Sequence, residues 1–259
     1  MISVLLATYN WPQALKLCLE SLATQTDRDF EIIIADDGST DSTKEIIDHF
    51  RASHSIAITH LWQDDQGFRK TKILNQAIVA AKGDYLVFLD GDCITQPDFI
   101  TRHRSLSQPG FLVTGSRVLL NEKLTQELLS WDSWSFSRFA ANLLVYRLSG
   151  SINKYWPLKI QLGDGKWRNY QKFVWRRIKG CNMACWKSDA TAIHGFDETM
   201  TGWGHEDADF VFRLQRNHIQ RKSGAWATEV LHLFHKIHDH SNAAENAKRV
   251  REKILAKAT

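Results

Sequence analysis

Three short strings in this chain place carboxylates where they can act together: Asp36-Asp37, Asp90-Gly91-Asp92 and Glu206-Asp207. Hard divalent cations take oxygen ligands and keep positions open for phosphate oxygens, so Asp90-Gly91-Asp92 is a candidate metal and diphosphate site. The glycine between the two acids leaves room for a diphosphate to approach the backbone. Asp-Gly is also ordinary turn chemistry, so the tripeptide gains weight only from its position after the apolar run Tyr85 to Leu89. Asp36-Asp37 could be a plain turn before a helix, or a pair of acceptors for base N–H groups and ribose hydroxyls. Tyr9 then has the shape to stack on the base, beside Thr8 and Asn10.

The string Gly202-Trp203-Gly204-His205-Glu206-Asp207 surrounds a large aromatic with glycines and then opens a helical pattern with acids. Acids in a first helical turn complement the macrodipole, which explains Glu206 or Asp207 but not the Gly-Trp-Gly before them. His232, His235, His238 and His240 follow closely. Of His232 and His235, one can reach the metal while the other orients it or donates to phosphate. A zinc site built from several histidines lacks the usual paired spacing, and His238 and His240 read as surface residues. Cys18, Cys93, Cys181 and Cys185 are too few and too scattered for a disulfide framework and read as reduced, packed thiols.

These residues need elements to position them. Ile2 to Ala7, Glu31 to Ala35 and Tyr85 to Leu89 are continuous apolar runs, as in strands buried on both faces, with a weaker strand over 56–62. Between them lie helical patterns. The first has Asn10 as a candidate N-cap, Pro12 in its first turn and Leu15, Cys18, Leu19 and Leu22 on one face. The second is opened by a Ser42/Glu45 capping box, and the third runs from Thr71 to Lys82 and stops at Gly83. The alternation predicts a mainly parallel sheet flanked by helices, with ligands beyond the carboxyl ends of its strands. Thr8-Tyr9-Asn10, Asp36-Asp37 and Asp90-Asp92 all fall on that rim. Farther on, Phe111 to Leu120 reads as one strand and 122–149 as helix, with Trp131, Trp134 and Phe136 partly inward. The tail from Ser241 reads as helix.

The chain has 259 residues, 43% hydrophobic and 24% charged, with a formal net charge of +4. That composition belongs to an ordered globular protein. No run approaches the ~18 apolar residues of a membrane span, and the start reads as a strand rather than a signal peptide, so a cytoplasmic location is expected. Lys154 to Lys179 mixes basic residues with Trp156, Trp167, Tyr170, Phe173 and Trp175. It reads either as a surface for phosphate-rich or membrane partners or as a solvated insertion.

Taken together, the strings Ser3 to Asn10, Ile34 to Ser39 and Phe88 to Asp92 resemble the family 2 glycosyltransferases of GT-A fold. Gly195-Phe196-Asp197-Glu198 through Asp207 is similar to the C-terminal region of β-1,4-galactosyltransferases and bacterial chondroitin polymerases. The resemblance covers about 1–110 and 178–236. It implies one α/β domain of GT-A type over 1–259, with a nucleotide-binding half (1–110) and an acceptor-binding, catalytic half (111–259) that includes a less regular helical region. It further implies Mn2+ or Mg2+, a UDP-sugar or other nucleotide-sugar donor, and inverting transfer to a glycan or lipid-linked glycan. The setting it suggests is bacterial lipopolysaccharide or cell-surface polysaccharide synthesis, with peripheral association at the inner membrane face and no nucleic-acid partner.

By the same resemblance Tyr9 would meet the base, Asp37 the uracil or ribose with Asp36 beside it, and Arg69 of Gln66-Gly67-Phe68-Arg69 the nucleotide-sugar. Asp90 would meet the ribose or donor sugar, Asp92 and His235 the metal with His232 as an alternative, and Asn182 the sugar pocket. Trp203 joins this donor set, Glu206 would bind hydroxyls and Asp207 would be the general base. The chain departs from the family in having Leu74-Asn75 where Arg-Asn is frequent, and 120–178 aligns with nothing. A sugar nucleotidyltransferase would share the sheet and acids but should carry a Gly- and basic-rich loop after the first strand. A basic nucleic-acid module would leave the acid pairs unexplained.

Overall fold

The computed structural model describes residues 1–175, 177–236 and 242–256. Strands β1 (Ile2–Thr8), β2 (Phe30–Asp36), β3 (Ile58–Trp62) and β4 (Tyr85–Asp90) lie parallel in the order β3-β2-β1-β4. Helices α1 (Pro12–Ala23), α2 (Asp41–Ser53) and α3 (Lys70–Ala80) connect them. Every residue of β1 and β2 is buried, because their alternate side chains feed two cores. Val4, Leu6, Ile32 and Ile34 pack with Leu15, Leu19 and Leu22 of α1. Leu5, Ile33, Leu86 and Phe88 pack with Ile73, Leu74, Ala77 and Ile78 of α3. Each such aliphatic side chain contributes about 1.5–3 kcal/mol by leaving water. Register pairs Thr8 with Asp36 and Ala7 with Asp90, so the polar ends of β1, β2 and β4 share one rim as the alternation implies.

The second half is built differently. Strands β5 (Cys93–Thr95), β6 (Phe111–Thr114), β7 (Ser116–Leu119), β8 (Asn169–Tyr170), β9 (Asn182–Trp186), β10 (Gln220–Ser223) and β11 (Glu229–His232) divide between two sheets. The main sheet continues from β4 as β9-β6-β10-β8, and β9 runs antiparallel to both β4 and β6. A small sheet has the order β5-β11-β7. The expected single strand over 111–120 is therefore two strands, β6 and β7, that enter different sheets. They part at Gly115, where a Cβ would lie 2.2 Å from the Asn182 side chain. Hydrophobic periodicity carries no signal for such an exchange of sheets.

Helix α4 (Phe99–Leu106) precedes β6. The expected helix over 122–149 is three short ones, α5 (Glu122–Leu129), α6 (Phe136–Ala141) and α7 (Leu143–Leu148). The break holds Trp131 and Trp134, buried and stacked at 5.9 Å, and Ser135 restarts the helix by accepting from Arg138 N–H. Together with Leu124, Leu128 and Phe139 they form a third core against Ile94, Val118 and Leu231 of the small sheet. Helices α8 (Trp156–Lys159), α9 (Lys187–Ala192), α10 (Glu206–Arg216) and α11 (Ala243–Leu255) complete the chain. The predicted caps differ. Asn10 stands one residue before the actual N-cap, Trp11, and neither Ser42 nor Glu45 caps α2, whose N-cap is Thr40. All four cysteines are free and buried. Among the described residues no helix is long and apolar enough to cross a membrane. His238 and His240 lie outside the described residues.

Candidate active site

The rim at the ends of β1 and β2 is held together by side chains reaching between the two loops. Asn10 has φ +46°, the left-handed region that asparagine tolerates, and its Oδ1 accepts from Thr40 N–H at 2.9 Å. Asp36 was expected beside the nucleotide, but its carboxylate is 1% exposed. It accepts from Ser39 N–H at 2.8 Å and lies 3.0 Å from His60 Nε2, so it braces the loop and offers no surface to a ligand. Asp37 accepts from Gln63 Nε2 at 2.5 Å and from Arg69 N–H at 2.8 Å, and burial raises its carboxyl above the usual range. Thr8 is buried at the strand end, whereas Tyr9 is 52% exposed and donates its hydroxyl to Asp65 at 2.8 Å. Arg69 gives one guanidinium N–H to Asp64 O, while its buried Nε has no partner. Tyr9, Asp37 and Arg69 thus gather on this rim, with Asp65 bonded to Tyr9 and acting on Asp37.

Past β4, Gly91 donates its N–H to Ala7 O at 2.7 Å, and a Cβ there would lie 3.1 Å from that same oxygen. The glycine is needed for close packing on β1, a constraint separate from phosphate access. Asp90 forms an ion pair with Lys70 at the first turn of α3. Asp92 Oδ2 faces two imidazoles, His235 Nε2 at 3.2 Å and His232 Nε2 at 3.6 Å. The ligand atoms of these three residues all lie within 4.8 Å of one another. His232 Nδ1 sits 2.9 Å from Leu233 O and His235 Nδ1 sits 3.3 Å from Lys236 O, so each Nδ1–H is held by backbone and each Nε2 points at the carboxylate. Burial raises the Asp92 carboxyl, but the two histidines outweigh it and hold the group below its usual range. Burial lowers His232, whereas the hydrogen bond to Asp92 raises His235. One carboxylate with two imidazoles suits a divalent transition ion such as Mn2+, completed by phosphate oxygens, better than Mg2+, which prefers oxygen ligands throughout.

The far half supplies the remaining acids. Gly202 (φ +74°) and Gly204 (φ +110°) take conformations that side chains rarely adopt, and between them Trp203 is 39% exposed. Gly202 N–H bonds to Phe68 O at 3.3 Å, which ties this segment to the Arg69–Lys70 turn. Asn246 of α11 donates to Thr201 O and Gly204 O, clamping it from behind. Asp207, in the first turn of α10, accepts from Gly180 N–H at 2.8 Å and Ala208 N–H at 2.7 Å, so its carboxylate is fixed against the segment that leads into β9. Glu206 is pushed up to about 7 by burial and then by the charge of Asp207, with Lys70 pulling the other way. Its Oε2 has no partner. Asn182 was expected to line a sugar pocket, yet it is fully buried. Its amide donates to Ser116 O and Thr228 O, and its oxygen meets His103 Nε2 at 3.2 Å, so it pins the small sheet to the large one.

Lys70 is the site residue that the sequence reading passed over. Burial lowers it, but Asp90 and Glu206 more than reverse that and raise it above the usual lysine range. A signal was present: α3 opens on a cation with no acid in its first turn. A lysine there opposes the macrodipole and therefore needs carboxylates from elsewhere.

The chain matches glycosyl transferase family 2 over residues 3–173, and a family described as the N-terminal domain of galactosyltransferase over 168–236. It is 26% identical over 248 residues to a validoxylamine A glucosyltransferase of Streptomyces hygroscopicus, covering 90% of this chain and 56% of that protein. It is also 26% identical over 222 residues to a chondroitin synthase of Escherichia coli, covering 83% of this chain and 32% of that one. The chain thus spans about half or less of the length of these curated relatives. Among solved structures, GalNAc-T7 with UDP, GalNAc and Mn2+ superposes with a TM-score of 0.67 at 15% identity, over 97% of this chain and 47% of that one. The mannosyltransferase PcManGT from Pyrobaculum calidifontis, in complex with GDP-Man and Mn2+, gives 0.64 at 16% identity, over 99% and 63%. At those identities the likeness concerns the fold, which is the GT-A glycosyltransferase type that the family resemblance implied, built on the mainly parallel sheet that the strand pattern predicted. The first match alone covers well over half of the residues, and the chain belongs to glycosyl transferase family 2.

Proposed function

We propose that this chain transfers a sugar from a nucleoside-diphosphate sugar, with UDP the favoured nucleotide, to a hydroxyl of a glycan acceptor, with inversion at the anomeric carbon. The observation that carries this reading is the meeting of Asp90, Asp92 and Lys70 from the first half with Glu206, Asp207, His232 and His235 from the second. Solved proteins of this fold hold UDP or GDP-Man together with Mn2+, which supports the donor class and the metal.

Tyr9 offers a face to the base, and Asp37 and Arg69 stand beside it for the ribose and diphosphate. Asp92, His232 and His235 would hold the cation, which neutralises charge growing on the leaving phosphate. Lys70 adds a fixed positive charge next to Asp90. Asp207, aimed by Gly180 N–H, takes the acceptor hydroxyl proton as that oxygen bonds to the anomeric carbon. The bond from that carbon to the diphosphate oxygen breaks, and its electron pair leaves with the nucleotide. Glu206 keeps its proton to about 7 and can donate to a sugar hydroxyl while its neighbour acts as base. In a thermal-shift assay UDP should stabilise the protein only with Mn2+, and Asp92→Ala should remove that stabilisation. Stabilisation by UDP alone, or by nucleoside triphosphates alone, would count against the reading. A donor panel scored by release of nucleoside diphosphate then identifies the sugar.

The acceptor reading is a membrane-bound glycan, as in lipopolysaccharide or surface polysaccharide synthesis, met by the chain at the cytoplasmic face. Its support is α7, where Leu144, Val145 and Leu148 are 57%, 61% and 79% exposed next to Arg147. Apolar side chains flanked by cations suit an anionic lipid interface. The chain should float with vesicles of phosphatidylglycerol and phosphatidylethanolamine at low salt, and Leu148→Glu should reduce this. No flotation of the wild type would remove the membrane part.

A further inference from the structure

A cavity of about 650 Å³ opens between α7, α8 and the small sheet, lined by Arg147, Lys154, Tyr155, Trp156, Trp226 and Glu229 among others. None of the donor-side groups lies in it. In the parallel pairing of β7 with β11, Ser116 aligns with Glu229 and Leu119 with His232. The cavity floor is therefore three strand positions, about 10 Å, from the metal-facing imidazole. A path of charge joins the two. Arg117, Arg177 and Lys179 all act on the Lys154 ammonium, and Lys179 adjoins Gly180, whose N–H holds Asp207.

The lining has the chemistry of a carbohydrate subsite. Trp156 is 60% exposed and held edge-on by Tyr155 at 5.2 Å, so a flat apolar face stands open for the C–H face of a sugar ring. Glu229 is 1% exposed. Its Oε1 accepts from Trp226 N–H at 2.8 Å, and Oε2 has no partner. The side chain of Ser116, on the same cavity wall, also acts on this carboxyl, so a ligand hydroxyl arriving there has an acceptor to meet. Burial raises this carboxyl, and the Trp226 N–H, Lys154 and Ser116 work against it. Lys154 gives one proton to Ser116 Oγ at 2.7 Å. Burial lowers it, Glu229 partly restores it, and the neighbouring cations lower it again. Arg147 and Lys154 line the cavity against the one acid Glu229, and Arg117, Arg177 and Lys179 add positive charge near Lys154, so the charge balance calls for an anion.

We propose that this cavity is a second saccharide subsite that binds an anionic sugar unit, carboxylated or phosphorylated, of the acceptor chain. The proposal rests on the transferase reading, since it takes the acceptor end to lie at Asp207. It makes the acceptor an oligosaccharide, anchored one cavity away from the hydroxyl that reacts.

The test is titration of the intact chain, with and without Mn2+ and UDP. The probes are a glucuronate-containing hyaluronan tetrasaccharide, mannose 6-phosphate, neutral cellotetraose and inorganic phosphate, followed by calorimetry. One of the two anionic sugars should bind at least tenfold more tightly than cellotetraose and than inorganic phosphate, and the preferred one identifies carboxylate or phosphate as the anion. Lys154→Ala and Trp156→Ala should each weaken that probe at least tenfold, while Mn2+-dependent UDP binding stays unchanged. Trp156 is exposed, so its removal leaves the fold intact and separates loss of the subsite from loss of structure. Equal binding of cellotetraose, equal binding of inorganic phosphate, or full retention in either variant would overturn the proposal. If UDP failed to bind the wild type while the anionic sugar still bound through Lys154 and Trp156, the subsite would stand and the transferase reading would fall.

Discussion

The two walls of the cleft are made to different standards of rigidity. The donor wall stands on β1, β2 and β4, strands of six or seven residues with helices packed on both faces. Its loops are tied by Asp36, Asn10 and Asp37 through bonds to backbone N–H groups. The acceptor wall uses strands of two to five residues, a left-handed His205 (φ +71°) at the start of α10, and helices of four to six residues with exposed apolar side chains. The difference teaches a division of labour. On the proposed reading, a nucleotide and a metal demand fixed geometry, while acceptor recognition falls to short elements whose side chains can be exchanged without disturbing a core. The chemical groups sit at the seam between the two walls, so each wall by itself holds half a site.

That comparison can be broken at Lys70, a cation that joins Asp90 on the donor wall to Glu206 on the other. Lys70→Met should lower kcat/KM at least about 30-fold, since removing one member of a buried charge pair costs about 2 kcal/mol or more. It should also move the Glu206 ionisation upward, because the lysine charge now pulls it down. A rate profile whose basic limb, where Glu206 loses its proton, stays where it was would mean that the two walls are not electrostatically linked.

A smaller effect sharpens the same point through stability. Folded Glu206 keeps its proton to about 7, whereas an ordinary glutamate releases it near 4.5. Between those values the folded state holds more protons, so stability falls as pH rises from 4.5 through 7. The loss is at most about 3 kcal/mol, less to the extent that water reaches the group. Glu206→Gln should therefore melt several degrees above the wild type at pH 8, with the advantage shrinking toward pH 5. Equal melting temperatures at pH 8 would show that Glu206 is not strained by its neighbours.

Much of the donor wall was legible from residues alone. Apolar runs bounded by polar strings reveal strands buried on both faces, and parallel order follows from the helices between them. The acceptor wall was not. The β6–β7 break at Gly115 follows from contact with Asn182, 67 positions away in the chain, and the antiparallel insertion of β9 is a long-range event. Side-chain type also misled at two positions. Asp36 and Asn182 have the chemistry of ligand contacts, but burial turned both into braces. Lys70 was missed for the complementary reason, since its value comes from carboxylates that the fold brings to it.

The central claim is that Asp207 performs the proton transfer and takes no part in holding the donor. Asp207→Asn keeps the size of the side chain and one acceptor oxygen for Gly180 N–H while removing the base. The measurement is sugar transfer beside Mn2+-dependent UDP affinity in the same preparation. The account predicts a fall in kcat of about 10²–10⁴-fold with UDP affinity unchanged within twofold. Near-normal transfer in the variant, or loss of UDP binding together with activity, would contradict it.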